Sequence, residues 1–245
     1  MGECGGDAVV DECGDCDGNN QNMDQCGNCQ NQELDNIEIA GECYNISSTN
    51  SLILNNQEIT FLPESIGMLV NLEILDLSFN QLTNIPESIG NLTNLKKVNL
   101  TGNQLTSLPS SVGNLINLDS LYLMFNQISS IPNEISNLNN LELLDLDWNQ
   151  LSSLPDNIDN LNQLKILKLG NNQIVSLPDS IGNLSSLEEF YLDNNNLTKL
   201  PQSMCNLPNS CYVIISGNQL CDKYKYSCID WGWNDLQWGE QDCDE

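Results

Sequence analysis

The sequence predicts an α/β solenoid, a stack of short strand-and-return units sharing one continuous core. Three observations predict it. First, a 23-residue unit recurs from about Thr49 to Asn218. Leu72, Leu75, Leu77, Asn80, Leu82, Ile85 and Pro86 return as Leu95, Val98, Leu100, Asn103, Leu105, Leu108 and Pro109. They return again as Leu118, Leu121, Leu123, Asn126, Ile128, Ile131 and Pro132. Second, three more full copies place the Asn at Asn149, Asn172 and Asn195, and no insertion breaks the register. Third, the end copies depart from the pattern, as caps must. Units this short cannot close a core alone and bury their apolar faces only against their neighbours.

Each element follows from its residues. In LxL the alternate side chains point inward, as in a short strand. Strands stacked one repeat apart form a parallel sheet whose inner face must be covered. The Asn ladder from Asn80 to Asn218 belongs inside the turn, where its amide can satisfy backbone groups left over by the bend. Pro63, Pro86, Pro109, Pro132, Pro155, Pro178 and Pro201 open the return segments. A missing N–H does no harm there and a fixed φ helps. Ile66, Ile89, Val112, Ile135, Ile158 and Ile181 precede Leu69, Leu92, Leu115, Leu138, Leu161 and Leu184 by three residues. That spacing fits a helical or 3-10 turn sealing the core. In the first copy Gln57 replaces the ladder Asn and Thr49 the first Leu; in the last, Ser210 replaces the first Leu and Cys205 the usual Gly.

The consensus LxxLxLxxNxLxxLPxxIGNLxxL resembles the leucine-rich repeat family over about three quarters of the chain. The resemblance implies a right-handed horseshoe with a parallel concave sheet of about eight strands and 3-10 or helical turns on the convex side. It divides the chain into a cysteine-rich module and cap (1–45), the repeats (46–220) and a cysteine- and tryptophan-rich cap (221–245). It also implies that a ligand binds the variable positions of LxxLxLxxN on the concave face. Read out in order, the candidates are Asp76, Phe79, Tyr122, Phe125, Asp145, Asp147, Trp148, Lys168, Tyr191 and Asp193. Phe79, Phe125 and Trp148 hold one motif position, just before the ladder Asn, and skip only Gly102. Tyr122 and Tyr191 hold a second column, with Asp145 and Lys168 between them. Exposed aromatics ringed by carboxylates suit a peptide, a sugar or a cationic group. The competing expectation is that residues before the Asn tuck into the neighbouring turn.

Composition bounds the chemistry. The formal net charge is −27, with 7 Lys and Arg together and 0 His. Nucleic acid is disfavoured as a partner, because phosphate binding needs clustered cations. An anionic membrane surface is disfavoured likewise, and no apolar run is long enough to insert. Without His, the Ser–His, Cys–His and His–metal constellations are excluded, and no enzyme activity is expected. Met1-Gly2-Glu3 runs straight into the cysteines, which reads as a mature or excised chain from which a leader has been removed.

The 11 cysteines avoid the central repeats. Cys4, Cys13, Cys16, Cys26, Cys29 and Cys43 precede the repeats; Cys205, Cys211, Cys221, Cys228 and Cys243 end them. Cysteines confined to caps suggest disulfides against fraying, hence an extracellular or cell-surface setting. An odd count leaves one unpaired. Cys205 and Cys211 flank a short loop and suggest a local pair. Cys13, Cys16, Cys26 and Cys29 also have zinc-like C-x₂-C spacing, the mark of a cytosolic scaffold. The segment Asp11 to Asn20 resembles short cysteine repeats of secreted microbial proteins, which implies disulfides instead. Asp15, Asp17, Asn19 and Asp24 have the oxygen spacing of a weak calcium site, although no Glu closes an EF-hand loop. No cofactor is expected, with a weak calcium site as the alternative to a plain acidic solvated loop. Trp231, Trp233 and Trp238 are expected to cover the last repeat, or else to form a binding shelf.

Asn45, Asn91, Asn99, Asn183 and Asn196 sit in glycosylation sequons, about the number that chance provides in so Asn-rich a chain. A glycan on Asn99 would obstruct the concave face. The functional expectation is a non-enzymatic extracellular scaffold binding a protein or glycan. The alternative is a structural or adhesive element whose partner is another copy of itself.

Overall fold

Alternating Leu residues set the strands, and the computed structural model shows how they stack. It describes residues 24–26, 28, 34–220 and 236–237. An antiparallel hairpin, β1 (Asn36–Ile39) and β2 (Glu42–Asn45), precedes the repeats. The repeat strands are β3 (Ser51–Ile53), β4 (Ile74–Asp76), β5 (Lys97–Asn99), β6 (Ser120–Tyr122), β7 (Leu143–Asp145), β8 (Ile166–Lys168), β9 (Glu189–Tyr191) and β10 (Tyr212–Ile214). They pair in parallel, each with the next in chain order, so Leu75 lies beside Val98 and Leu121 beside Leu144. Eight repeat strands in a right-handed solenoid match the predicted fold. A ninth, β11 (Leu236–Gln237), adds in parallel to β10, so the C-terminal segment extends the sheet at its last edge. Trp231, Trp233 and Trp238 lie outside the described residues. No described helix is long and apolar enough to cross a membrane.

The inward Leu and Ile of every repeat merge into one core, with Leu72, Leu118, Leu144, Leu146 and Leu167 at 0–1% exposure. Each such side chain contributes roughly 1.5–3 kcal/mol of transfer free energy. The return segments are 3-10 turns, among them Glu64–Met68, Glu87–Asn91, Ser110–Asn114 and Asp179–Asn183. The opening Pro is extended and its carbonyl accepts the first turn bond, as from Ile66 N–H to Pro63 O at 3.0 Å. Gly90 in the IGN motif is required by contact: a side chain there would meet Ser111 Cβ at 2.6 Å. Where Ser136 replaces that Gly, its hydroxyl is bonded by Asn157 Nδ2 at 2.6 Å and the next 3-10 turn shrinks to Ile158–Asn160.

The ladder Asn residues are buried at 0–9% exposure. Asn126 is typical. Its Oδ1 accepts Leu105 N–H at 3.0 Å, and its Nδ2 donates to Leu100 O and Leu123 O, both at 3.0 Å. One carboxamide thus ties two repeats together. In the first copy Gln57 needs no side-chain substitute, because Asn80 Oδ1 accepts both Gln57 N–H and Ile59 N–H. A second, outer ladder joins adjacent units: Asn71, Asn94, Asn117 and Asn140 each donate to a carbonyl 24 residues back at 2.8–2.9 Å.

At the N-terminal end, Ile37 and Ile39 of the hairpin are buried against the first repeat. Ala40 and Gly41, at φ 54° and 83°, form the tight turn that right-twisted strands require. Cys26 and Cys43 form a disulfide with Cα atoms 5.4 Å apart. This corrects the zinc alternative, because Cys26 is committed to Cys43 and cannot complete a four-cysteine tetrahedron with Cys13, Cys16 and Cys29. Asp24 ties its own loop together. Its carboxylate accepts the N–H groups of Cys26 and Asn28 and the Asn28 amide, each at 2.9 Å, and the bonds from Asn28 hold its pKa below the usual range. Asp15, Asp17 and Asn19, and Cys4, Cys13, Cys16, Cys29, Cys221, Cys228 and Cys243, lie outside the described residues.

The expected Cys205–Cys211 pair does not form. Cys205 is disulfide-bonded elsewhere, and Cys211 is a free thiol at 1% exposure. The cause is a one-residue slip within the last return, whose overall length is unchanged, since β10 stands 23 residues after β9. Cys211 N–H bonds Pro208 O as Leu187 N–H bonds Leu184 O, so Cys211, not Ser210, takes the buried place of the first Leu. There it acts as a small apolar residue, and burial pushes its thiol pKa up to about 12.

Two stability outcomes are expected in denaturant titrations. Asn126→Ala leaves the buried Leu105 N–H without its acceptor and should cost about 2–3 kcal/mol. Val98→Leu restores the consensus beside a small apolar void lined by Leu75, Ile89, Val112 and Leu121. It should stabilise by up to about 1 kcal/mol.

Candidate ligand-binding face

The residue before the ladder Asn must reverse the chain as it leaves the strand, and the backbone there is left-handed in all eight copies. Asn56, Phe79, Phe125, Trp148, Asn171 and Asn194 have φ between 54° and 58°, and Gly102 and Gly217 lie at 69° and 66°. The bend is held from both sides. In every copy before the last the N–H of this residue donates to the next repeat, as from Trp148 N–H to Gly170 O at 2.9 Å and Phe125 N–H to Asp147 O at 3.1 Å. Asn and Gly tolerate this conformation; bulky aromatic residues do not, and each carries roughly 1–3 kcal/mol of strain. Phe79, Phe125 and Trp148 are nevertheless 57%, 46% and 50% exposed. They do not tuck into the neighbouring turn.

The three aromatics do not form one even stripe. Phe79 leans onto Gly102, where a side chain would meet its Cδ1 at 2.7 Å. Phe125 and Trp148 form a pair, with ring centroids 5.5 Å apart at 35°. The second column runs Asp76, Asn99, Tyr122, Asp145, Lys168 and Tyr191, side by side across β4 to β9. Lys168 stacks on Tyr191 at 5.5 Å, and Lys97 on Tyr122 at 5.2 Å. Tyr191 also meets Tyr212 edge-on at 6.2 Å and donates its hydroxyl to Glu189 Oε2 at 2.9 Å. Burial first, then this hydrogen bond, pushes its pKa up to about 12.

The carboxylates separate into two kinds. Asp76 is satisfied locally by the backbone N–H and hydroxyl of Ser78 and by Asn99. Asp147 and Asp193 gather around Gly170, and Asp145 faces Asp147. Asp147 Oδ1 accepts Gly170 N–H at 2.7 Å, and a side chain on Gly170 would stand 2.7 Å from Asp193 Oδ1 and 3.3 Å from Asp147 Oδ1. Asp145 is 6% exposed, with Lys168 Nζ 3.9 Å away. Burial raises its pKa. Burial, and next the charge of Asp145, push Asp147 up to about 6. Lys97, Gly170, Glu189 and Tyr212 escaped the sequence reading. Lys97, Glu189 and Tyr212 open their strands two positions before the column that was read out, and Gly170 matters through the side chain it lacks.

Among the sequon residues, Asn91, Asn183 and Asn196 are exposed. Asn45 is held by Ser47, Ser48 and Asp35, and Asn99 donates to Asp76 Oδ2 at 3.3 Å. Among the described residues, no group of three or more acidic or cysteine side chains is placed to hold a metal ion.

Asp147 generates a pH-dependent expectation. Its folded pKa of about 6 lies above its ordinary 3.8, so the folded form holds a proton that the unfolded chain releases. This group therefore adds stability as pH falls from 7 towards 4 and withdraws it as pH rises through 6. Asp145, Lys168 and Asp193 are the charged groups facing it. Asp147→Asn keeps an acceptor for Gly170 and removes the charge. It should be more stable than the parent at pH 7.5, with the advantage vanishing near pH 4 in chemical denaturation.

A family profile described as a leucine-rich repeat region matches residues 22–154 and 121–207. No curated protein matches the chain. Among solved structures, a leucine-rich repeat protein of Leptospira interrogans is 32% identical, with TM-score 0.67, over 82% of this chain and 57% of its own. The ectodomain of the Arabidopsis thaliana receptor kinase GASSHO1/SCHENGEN3, in complex with CASPARIAN STRIP INTEGRITY FACTOR 2, is 31% identical with TM-score 0.61. That match covers 75% of this chain and 24% of the ectodomain. The Arabidopsis receptor kinase HAESA, in complex with the peptide hormone IDA and the co-receptor SERK1, is 33% identical with TM-score 0.61, over 70% and 30%. The chain thus spans little more than half the length of the bacterial protein and about a quarter to a third of the plant ones. With the repeat register, the parallel sheet and these matches in agreement, the chain belongs to the leucine-rich repeat family.

Proposed function

We propose that this chain is a non-enzymatic extracellular recognition module that binds a protein or peptide ligand across its concave face, centred on Phe125 and Trp148. One observation carries the reading. Two large aromatics stand half-exposed at positions whose backbone disfavours them, beside copies in which Asn or Gly fills the same place. Strain retained at an exposed position serves neither the core nor the bend, and such outliers concentrate at binding sites. Tyr and Trp are also the side chains on which interface energy concentrates. The HAESA structure, which holds a peptide hormone, supports a peptide over a glycan. The Cys26–Cys43 disulfide and the ectodomain origin of the GASSHO1/SCHENGEN3 match support an extracellular setting.

The test separates binding from folding. Trp148→Gly relieves the left-handed strain and should leave stability within about 1 kcal/mol of the parent. Peptides selected from a random display library against the folded parent should lose at least tenfold in affinity for this variant. Leu146→Ala instead opens a core cavity and should cost about 2–5 kcal/mol. A Trp148→Gly protein that unfolds, or that keeps every selected peptide, sinks the concave site.

A further inference from the structure

The concave face already shows how it receives a positive charge. Tyr122 and Tyr191 each carry a resident lysine, Lys97 at 5.2 Å and Lys168 at 5.5 Å from the ring centres. The Phe125–Trp148 pair offers the same kind of surface, yet among the described residues no cation lies over either ring. Beside that pair the negative charge is only partly compensated: Lys168 faces Asp147 as well as Asp145, and Asn194 Nδ2 donates to Asp193 Oδ2 at 2.8 Å. Of Asp145, Asp147 and Asp193, only Asp145 has a lysine within 4.0 Å among the described residues. Asp147 and Asp193 approach Gly170 from the rungs on either side, and Trp148 N–H is bonded to the carbonyl of that same Gly170. Aromatic pair and carboxylates are therefore contiguous.

We infer that the ligand segment is basic, and that one of its Arg or Lys side chains lies on Phe125 and Trp148 with its charge over Gly170, between Asp147 and Asp193. This rests on the concave-face reading and adds the chemistry of the occupant. Charge complementarity selects it. An anionic segment would meet two carboxylates in a chain of net charge −27. A purely apolar one would desolvate both carboxylates and bring no counter-charge, which costs more than the aromatic contact returns. A cation gains from both at once: attraction to the ring faces and charge-assisted bonds to the carboxylates. A planar guanidinium fits better than an ammonium, because it stacks and forks at the same time. Asp147 protonates near pH 6, with Asp145, Lys168 and Asp193 facing it, so the contact should weaken in mild acid.

The probe is a labelled hexapeptide of alternating glycine and arginine, with citrulline replacing arginine in its uncharged twin. Fluorescence anisotropy at pH 7.5 and physiological salt reads the affinity. The arginine peptide should bind at least tenfold more tightly than the citrulline peptide. Trp148→Gly and Asp147→Asn should each weaken it about fivefold or more. Glu134→Gln and Asp156→Asn, which remove equal charge from exposed return segments, should change it less than twofold. Equal weakening by the return-segment variants would show attraction to net charge alone and overturn the inference. No binding of the arginine peptide at millimolar concentration would overturn it as well. Citrulline peptide bound as tightly as arginine, and lost in Trp148→Gly, overturns the cation and leaves the concave site standing. Binding indifferent to Trp148→Gly overturns both.

Discussion

The structure depends on the buried asparagine carboxamide. A strand that turns sharply inside an apolar stack leaves backbone N–H and C=O groups with no water to meet them. Asn103 illustrates the remedy: its oxygen accepts the Leu82 N–H of the preceding unit, and its amide reaches Leu77 O and Leu100 O. Because each carboxamide bonds the unit before it, the ladder fixes the spacing of neighbouring repeats as well as the bend within each one. The leucines supply the drive to stack, while the asparagines determine the geometry in which stacking is possible.

That division of labour frees the outward positions. Backbone direction just before the ladder Asn is imposed by bonds to the next unit, whichever side chain stands there, so Gly102, Phe125, Trp148 and Asn171 share one left-handed geometry. The cost of an aromatic there is local strain, which a well-bonded scaffold absorbs. Recognition chemistry can accordingly be concentrated at β6 to β9 without disturbing the core beneath it. The ends are secured by other means, with a disulfide-tied hairpin at one and an added strand at the other.

Much of this was legible in the sequence, and for identifiable reasons. The Leu, Asn and Pro positions report fold directly, since each has one physical task and repeats it at a constant interval. The columns of the concave face follow from the same arithmetic, which is why Tyr122, Asp145, Lys168 and Tyr191 stand side by side. The backbone at Phe79, Phe125 and Trp148 was not legible, because aromatic residues argue locally for extended chain and the ladder overrides them. Cys211 misled for a different reason. Its nearness to Cys205 in sequence suggested a bond, whereas a one-residue slip of the last turn put its side chain into the core. Gly170 was silent because its contribution is the space it leaves to two carboxylates.

The shared left-handed position has an evolutionary consequence. It works as a row of equivalent backbone positions at a pitch of about 4.8 Å, and the copies that carry Asn, Phe or Trp there share one fold. Duplicating the 23-residue unit of β8 would move the Phe125–Trp148 pair one whole rung further from Tyr191, with the stacking contacts of the repeat reproduced. Specificity in such a molecule can change by ruler-like steps, through the number of units between two fixed features, as readily as through substitution at either one.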